Sequence, residues 1–337
     1  MDEKYDVVVV GGGSAGLAGA LALARARRSV LVVDAGDPRN ARAGHVHNYL
    51  GRESTPPAEL VAIGRDEVTG YGGEIVTGTV TAAERTADGF EVTLDDGQKV
   101  RARRLLVTTG LVDELPDIDG VAERFGRDVL HCPYCHGWEA RDQAIGVIGG
   151  NPMAVHAALL WRQLSADVTL FRHQAPELTD EQREELAARG IRVIEGEVAA
   201  VEVDDDRLTG VRMRSGEVVP RQVAVVAPRF TARAGLLTAL GLEVSEQVMQ
   251  GHVIGSYVAA DPTGATEVPG VWVAGNVANV TAQVIVSASG GLTAGAAINA
   301  DLVAEDTRAA VAAHRAGVFS AEREVSELVG GAQRHGI

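Results

Sequence analysis

Cysteine is nearly absent from this chain: of 337 residues only Cys132 and Cys135 are cysteines. A disulfide-stapled secreted scaffold needs more of them, spaced more widely. Aromatic residues are scarce at 4%, which excludes a stacking platform for single-stranded nucleic acid. Basic residues are outnumbered 46 to 31 by acidic ones, giving a formal charge of −15 and no expectation of a nucleic-acid partner. Long hydrophobic runs are lacking too. The first, at 7–10, lies behind a charged N-terminus and breaks at Gly11. That is neither a signal peptide nor a membrane span, so a cytoplasmic protein with no membrane partner is expected.

What remains suffices for packed cores. Hydrophobic residues make up 46% of the chain, and its length suits two domains. Glycine, at 40 residues, exceeds its usual share of ~7%. The glycines are clustered, which marks places where backbone must approach something closely.

The first cluster lies in a β-α-β pattern. An apolar strand is predicted at 7–10, followed by Gly11-Gly12-Gly13-Ser14-Ala15-Gly16, a helix over 17–28, and a strand over 29–33 ending at Asp34. In this setting Gly11 serves the tight turn, Gly13 the approach of a pyrophosphate and Gly16 helix–strand packing, with the helix N-terminus facing the phosphates. Asp34 is placed to accept hydrogen bonds from a ribose. A glycine-rich turn that binds nothing is the alternative, and the motif alone does not separate FAD from NAD.

The same grammar recurs. A strand at 145–148 meets Gly149-Gly150-Asn151-Pro152-Met153-Ala154, then a helix to 164 and a strand at 167–171. Between the copies, 89–94 and 99–103 alternate around Asp95-Asp96-Gly97 as a hairpin, and a similar pair surrounds Arg214-Ser215-Gly216. Runs at 105–110 and 223–227 read as strands returning to each parent sheet, and a strand at 271–276 precedes a helix over 284–304. The expected fold class is α/β: two Rossmann-like nucleotide-binding domains with β-meanders, the second inserted in the first. The expected division is 1–112 with 229–304, an insertion at 113–228, and a helical extension at 305–337. In that extension Ser320 is expected to cap a short helix whose edge is Val325, Leu328 and Val329, serving packing or a homodimer.

Cys132-Pro133-Tyr134-Cys135 is the second chemical signal. A CxxC at a helix start can lower one thiol's pKa and form a reversible disulfide. Zinc competes, since His131 and His136 flank the pair, but neighbours such as Cys135 and His136 rarely share one metal and no second ligand pair lies at finger spacing. No metal is expected, and inert packing is the remaining alternative.

The order GxGxxG, CxxC, second glycine loop, Ala274-Gly275-Asn276 resembles the low-molecular-weight thioredoxin reductases, FAD-dependent pyridine nucleotide-disulfide oxidoreductases, over about residues 5–304. The resemblance implies FAD in 1–112 with 229–304, an NAD(P)H-like domain carrying the CxxC at 113–228, and electrons passing between flavin and a disulfide. Gly11, Gly13, Ser14, Ala15, Gly16 and Asp34 would hold the FAD pyrophosphate and ribose. Asn48 would lie beside the flavin, and Thr109 and Gly110 would line the adenine side, with Val80 also in the FAD-binding set. Gly275 and Asn276 would meet the ribityl chain, where the family has Asp, and Gln283 and Val284 the isoalloxazine edge.

The departures from that family carry information. Where NADPH-using members place an arginine-rich segment around the 2′-phosphate, this chain has Arg172-His173-Gln174-Ala175-Pro176-Glu177-Leu178, with one arginine and an added carboxylate. Asn151 replaces a loop glycine and Pro152 removes a donor. Both changes count against NADPH and make NAD(P)H doubtful, read either as a switch to NADH or as loss of efficient nicotinamide use. After the second cysteine stands His136 in place of the family's Asp, a group that titrates near neutral pH and can accept a thiol proton. Cys-x-x-Cys-His-Gly resembles the dithiol oxidases that close disulfides in natural products of the gliotoxin, holothin and romidepsin type.

The expectation is therefore an FAD-dependent dithiol oxidase with Cys132, Cys135 and His136 as catalytic residues, acting on a small-molecule dithiol with O2 as acceptor and H2O2 as product. An NAD(P)H-dependent reductase of a thioredoxin-like disulfide is the second reading. A nucleotide-sensing protein with a vestigial CxxC is the third.

Overall fold

A computed structural model of the chain describes residues 4–331, with side chains described through residue 316. The strand Lys4–Val10 is apolar at consecutive positions and is buried on both faces at the centre of a sheet. On one side it pairs in parallel with Val30–Asp34, which pairs with Glu74–Thr77. On the other it pairs in parallel with Lys99–Val107.

Lys99–Val107 is one continuous strand, where two were predicted: no turn residue interrupts it, and alternating burial up to Ala102 gives way to the fully buried Leu105–Val107. Its first half pairs antiparallel with Gly89–Leu94, which pairs with Val80–Thr86. Its second half pairs in parallel with Val271–Val273, which therefore returns to the first sheet from far along the chain.

Alternate residues of these strands point to opposite faces. Val7, Val9, Val30, Val32 and Leu106 pack under the helix Ser14–Arg25 and under Ala294, Ile298 and Leu302 of the last helix. Val8, Val10, Leu31, Val33 and Leu105 pack instead against Phe90 and Val92 of the meander and against Leu237 and Val258. The helix Ser14–Arg25 starts within the glycine motif, directly after Gly13 and earlier than predicted. It ends before Arg27, whose φ of 63° no helix accommodates.

The second sheet is parallel, in the order Arg192–Ile194, Val168–Phe171, Ile145–Ile148, Val223–Val225, Val129–Leu130. The helix Ala154–Trp161 covers one face through Val155, Ala158 and Trp161. The meander Val198–Asp204, Arg207–Met213 and Val218–Pro220 covers the other through Val201, Leu208 and Val211.

A further sheet, in the order Val244–Met249, His252–Val258, Arg229–Ala232, Leu111–Glu114, was not anticipated. Two of its strands carry the chain out toward the second sheet and back. They are antiparallel neighbours, with Leu111 opposite Ala232 and Asp113 opposite Phe230.

The last helix, Val284–Gly331, runs for 48 residues. No proline interrupts it, so it continues through Ser320, which caps no separate helix as had been expected. The expected apolar edge of Val325, Leu328 and Val329 lies outside the residues whose side chains are described. Arg28, Arg103 and Arg104 hold the helix to the sheet through Asp306, Glu305 and Asp301 at 2.7, 2.6 and 2.6 Å.

Candidate active site

The first glycine loop is built by close approach. A Cβ on Gly11, whose φ is +103°, would lie 2.7 Å from the Thr108 carbonyl, and one on Gly16 would lie 1.9 Å from the Gly11 carbonyl. Gly12 is equally constrained, since a Cβ there would reach 2.6 Å from the Asp34 carboxyl carbon. Gly13 differs: a Cβ there would meet nothing within 4 Å, because it points into open space. The Asp34 carboxylate is fixed by the Gly12 N–H, which donates to it at 3.0 Å, and by Arg65 at 3.3 Å.

That open space belongs to a cavity of about 830 Å3. Of the residues expected at the site, Gly11, Gly13, Ser14, Ala15, Asp34, Val80, Thr109, Gly110, Gly275, Asn276, Gln283 and Val284 line it, together with Cys132, Cys135 and His136. Gly16 and Asn48 are not part of its wall. Gly16 packs against Gly11 behind the loop, and Asn48 donates from its side-chain amide to the Tyr134 carbonyl at 2.7 Å, bracing the backbone between the cysteines.

Thr109 donates its hydroxyl to the Arg233 carbonyl at 2.7 Å, so its side chain is engaged in holding the wall. Asn276 donates from Nδ2 to the carbonyls of Asn279 and Ala282 at 3.0 and 2.9 Å, closing the turn that leads to the last helix. Only an amide can donate there, which accounts physically for Asn in place of Asp.

Cys132 and Cys135 are joined in a disulfide with Cα atoms 5.3 Å apart. The short helix Pro133–His136 carries the second cysteine. Cys132 caps it, its sulfur accepting from the Cys135 N–H at 3.2 Å. Gly137 follows because a Cβ there would strike the Pro133 carbonyl at 2.2 Å. Both ring nitrogens of His136 are buried without a hydrogen-bond partner, and burial, its largest influence, pushes its pKa below the usual value. A neutral imidazole with free nitrogens beside a disulfide can accept a proton from an entering thiol.

His131, on the other side of the pair, stacks on Phe125 and meets Phe230 edge-on. Burial first, and the Arg39 charge second, push its pKa down to about 4, so it is neutral at ordinary pH. Arg39, Arg65, Asp113 and Phe230 line this site and were missed from the sequence. Arg39 and Asp113 lie in segments without a motif, so only the tertiary fold brings them together.

The second glycine loop does not line this cavity. Asn151 is buried and its side-chain oxygen accepts from the Met153 N–H at 2.9 Å, so the side chain fills its own turn. Arg172, the one arginine at the expected 2′-phosphate position, is paired with Glu195, with Glu177 at 3.2 Å and with the Ala175 carbonyl at 3.0 Å.

The sequence pattern of the pyridine nucleotide-disulphide oxidoreductase family matches residues 5–291. Thioredoxin reductase tcpT of Claviceps purpurea (strain 20.1) is 36% identical over 303 residues, covering 82% of this chain and 93% of its own. Thioredoxin reductase sirT of Leptosphaeria maculans is 29% identical over 325 residues, covering 90% and 96%. The crystal structure of HlmI superposes with a TM-score of 0.86 at 48% identity, covering 94% of this chain and 98% of HlmI.

Proposed function

This chain belongs to the pyridine nucleotide-disulphide oxidoreductase family, and from that premise we propose that it is a dithiol oxidase, closing a disulfide within a small molecule that carries two thiols. The chain is a thioredoxin reductase-like oxidoreductase and binds FAD, as its family does. Its cavity fits that cofactor: Gly13 leaves open space for a pyrophosphate, and Asp34 is held where a ribose can donate to it. We assign FAD to 1–112 with 229–304 and the CxxC to an inserted unit at 113–228.

One observation carries the choice of dithiol over nicotinamide as electron source. The groups that would receive a dinucleotide at the second glycine loop are already engaged elsewhere, Asn151 by its own turn and Arg172 by two carboxylates. The disulfide, by contrast, stands in the wall of the main cavity.

In the reaction, a substrate thiolate attacks the Cys132 sulfur and Cys135 leaves as a thiolate. The substrate's second thiol then attacks the sulfur held by Cys132, releasing a cyclic disulfide and leaving both cysteines reduced. His136 accepts the proton of the entering thiol. FAD supplies the two-electron acceptor through which the cysteine pair returns to the disulfide and O2 becomes H2O2. The balance is one dithiol and one O2 consumed for one disulfide and one H2O2.

Anaerobic spectra of the purified protein test this reading. Small dithiols are expected to bleach the flavin and NADPH to do so far more slowly. Faster bleaching by NADPH than by any dithiol would return the protein to the disulfide reductases, and bleaching by neither would leave a binding protein.

A further inference from the structure

Arg39 joins three separate parts of the chain. It follows the strand Val30–Asp34 and lines the cavity. Its Nε and Nη2 donate to the two carboxylate oxygens of Asp113 at 2.7 and 2.6 Å, and its Nη1 donates to Asn276 Oδ1 at 3.3 Å. The guanidinium carbon stands 5.2 Å from the centre of the Phe230 ring.

These partners are informative by position. Asp113 and Phe230 face each other across the two strands that carry the chain to and from the second sheet. Asn276 lies in the turn before the last helix and lines the cavity, at the position where the FAD reading puts the ribityl chain. Phe230 in turn touches His131, the residue before Cys132, at 5.9 Å between ring centres. A planar, five-donor guanidinium can hold a carboxylate bidentately and still reach a third group, whereas an ammonium cannot reproduce that fork.

We propose that Arg39 is a positioning residue that fixes the spacing between the flavin-side turn at Asn276 and the disulfide at Cys132. The proposal rests on the disulfide exchanging electrons with FAD in this cavity. Arg39 needs no contact with substrate: it keeps two redox groups, carried by different parts of the chain, at one separation. Transfer between them is sensitive to a misplacement of the order of 1 Å.

The experiment uses the holoprotein with Arg39→Lys, which keeps the charge, and Asp113→Asn, which keeps the shape. Two steps are read apart after anaerobic mixing with dithiothreitol: opening of the disulfide, by alkylation and mass, and bleaching of the flavin, by absorbance. Arg39→Lys is expected to open its disulfide at the wild-type rate while bleaching about 10²-fold more slowly, with Asp113→Asn changed in the same sense and less.

FAD affinity, from titration of apoprotein, should fall about ten-fold in Arg39→Lys through loss of the hold on Asn276. Wild-type bleaching in Arg39→Lys would overturn the proposal, as would disulfide opening slowed as much as bleaching. If no dithiol bleached even the wild-type protein, the dithiol-oxidase reading would fall by itself. An unchanged FAD affinity in Arg39→Lys would then overturn the positioning role separately.

Discussion

The two glycine loops descend from the same local grammar, strand then loop then helix, and end in opposite conditions. In the first, Gly13 faces open space and the carboxylate of Asp34 is presented to the cavity. In the second, a buried Asn151 satisfies its own turn and Arg172 is surrounded by Glu195 and Glu177. A shared backbone architecture therefore does not give the two loops the same surroundings. What separates the two loops is whether the polar groups beside them are presented to the cavity or taken up by neighbouring protein groups.

The comparison predicts its strongest effect from a matched pair of substitutions. Gly13→Val should give colourless protein, since the side chain enters the space of the pyrophosphate. Gly150→Val, in the other loop and also facing open space, should leave the flavin content unchanged. Absorbance of the purified variants reads both, and a yellow Gly13→Val protein would remove the cofactor from the first loop.

Equally large is the effect expected at the disulfide through which electrons are proposed to enter. Cys132→Ser and Cys135→Ser should each abolish oxygen uptake with a dithiol substrate. Cys135→Ser should in addition retain a mixed disulfide on Cys132, seen as a mass increase.

A smaller loss is expected at His136. Because burial lowers its pKa, His136 is neutral at pH 7, and wild-type turnover should decline only as pH falls through a value below 6.5. His136→Ala should lose about 10²-fold near neutrality and recover at high pH as the substrate thiol ionises unaided, near ~8.5. A variant with the wild-type pH–rate profile would show that His136 moves no proton.

The smallest effect sharpens the comparison from the other side. Asn151→Gly combined with Glu195→Gln frees the second loop and one face of Arg172. It should raise the rate of flavin reduction by NADPH by no more than a few-fold, because a single arginine still stands where several cationic donors are needed. Stopped-flow reduction by NADPH measures the gain, and a rate approaching that of a dithiol would mean that these two side chains alone had been blocking nicotinamide.

Much of this architecture was legible because its signals are local. Runs of Val and Leu at consecutive positions indicated the buried parallel strands, Asp95-Asp96-Gly97 indicated the hairpin, and the acid at 34 stood at the end of the second strand as the motif requires. The CxxC was visible for the same reason.

The sheet containing the two crossing strands was not legible. Arg229–Ala232 and Val244–Met249 carry no clean apolar alternation, and their pairing depends on partners far away in sequence. Arg39 was missed on the same ground, since a lone arginine in a connecting segment gains meaning only when Asp113, Phe230 and Asn276 arrive around it. Asn276 was seen as a substitution, but its cause, two carbonyls that require a donor, exists only in the folded turn.

The adjacency of Leu111–Glu114 and Arg229–Ala232 reaches beyond catalysis. Exit and re-entry of the chain lie one strand spacing apart, about 4.8 Å, so residues 115–228 form an excursion whose two ends meet at a single doorway. A tight hairpin turn would suffice to seal that doorway, leaving the parent sheet's hydrogen-bond ladder untouched. The cysteine pair therefore rides on a segment whose two covalent connections to the rest of the chain lie side by side.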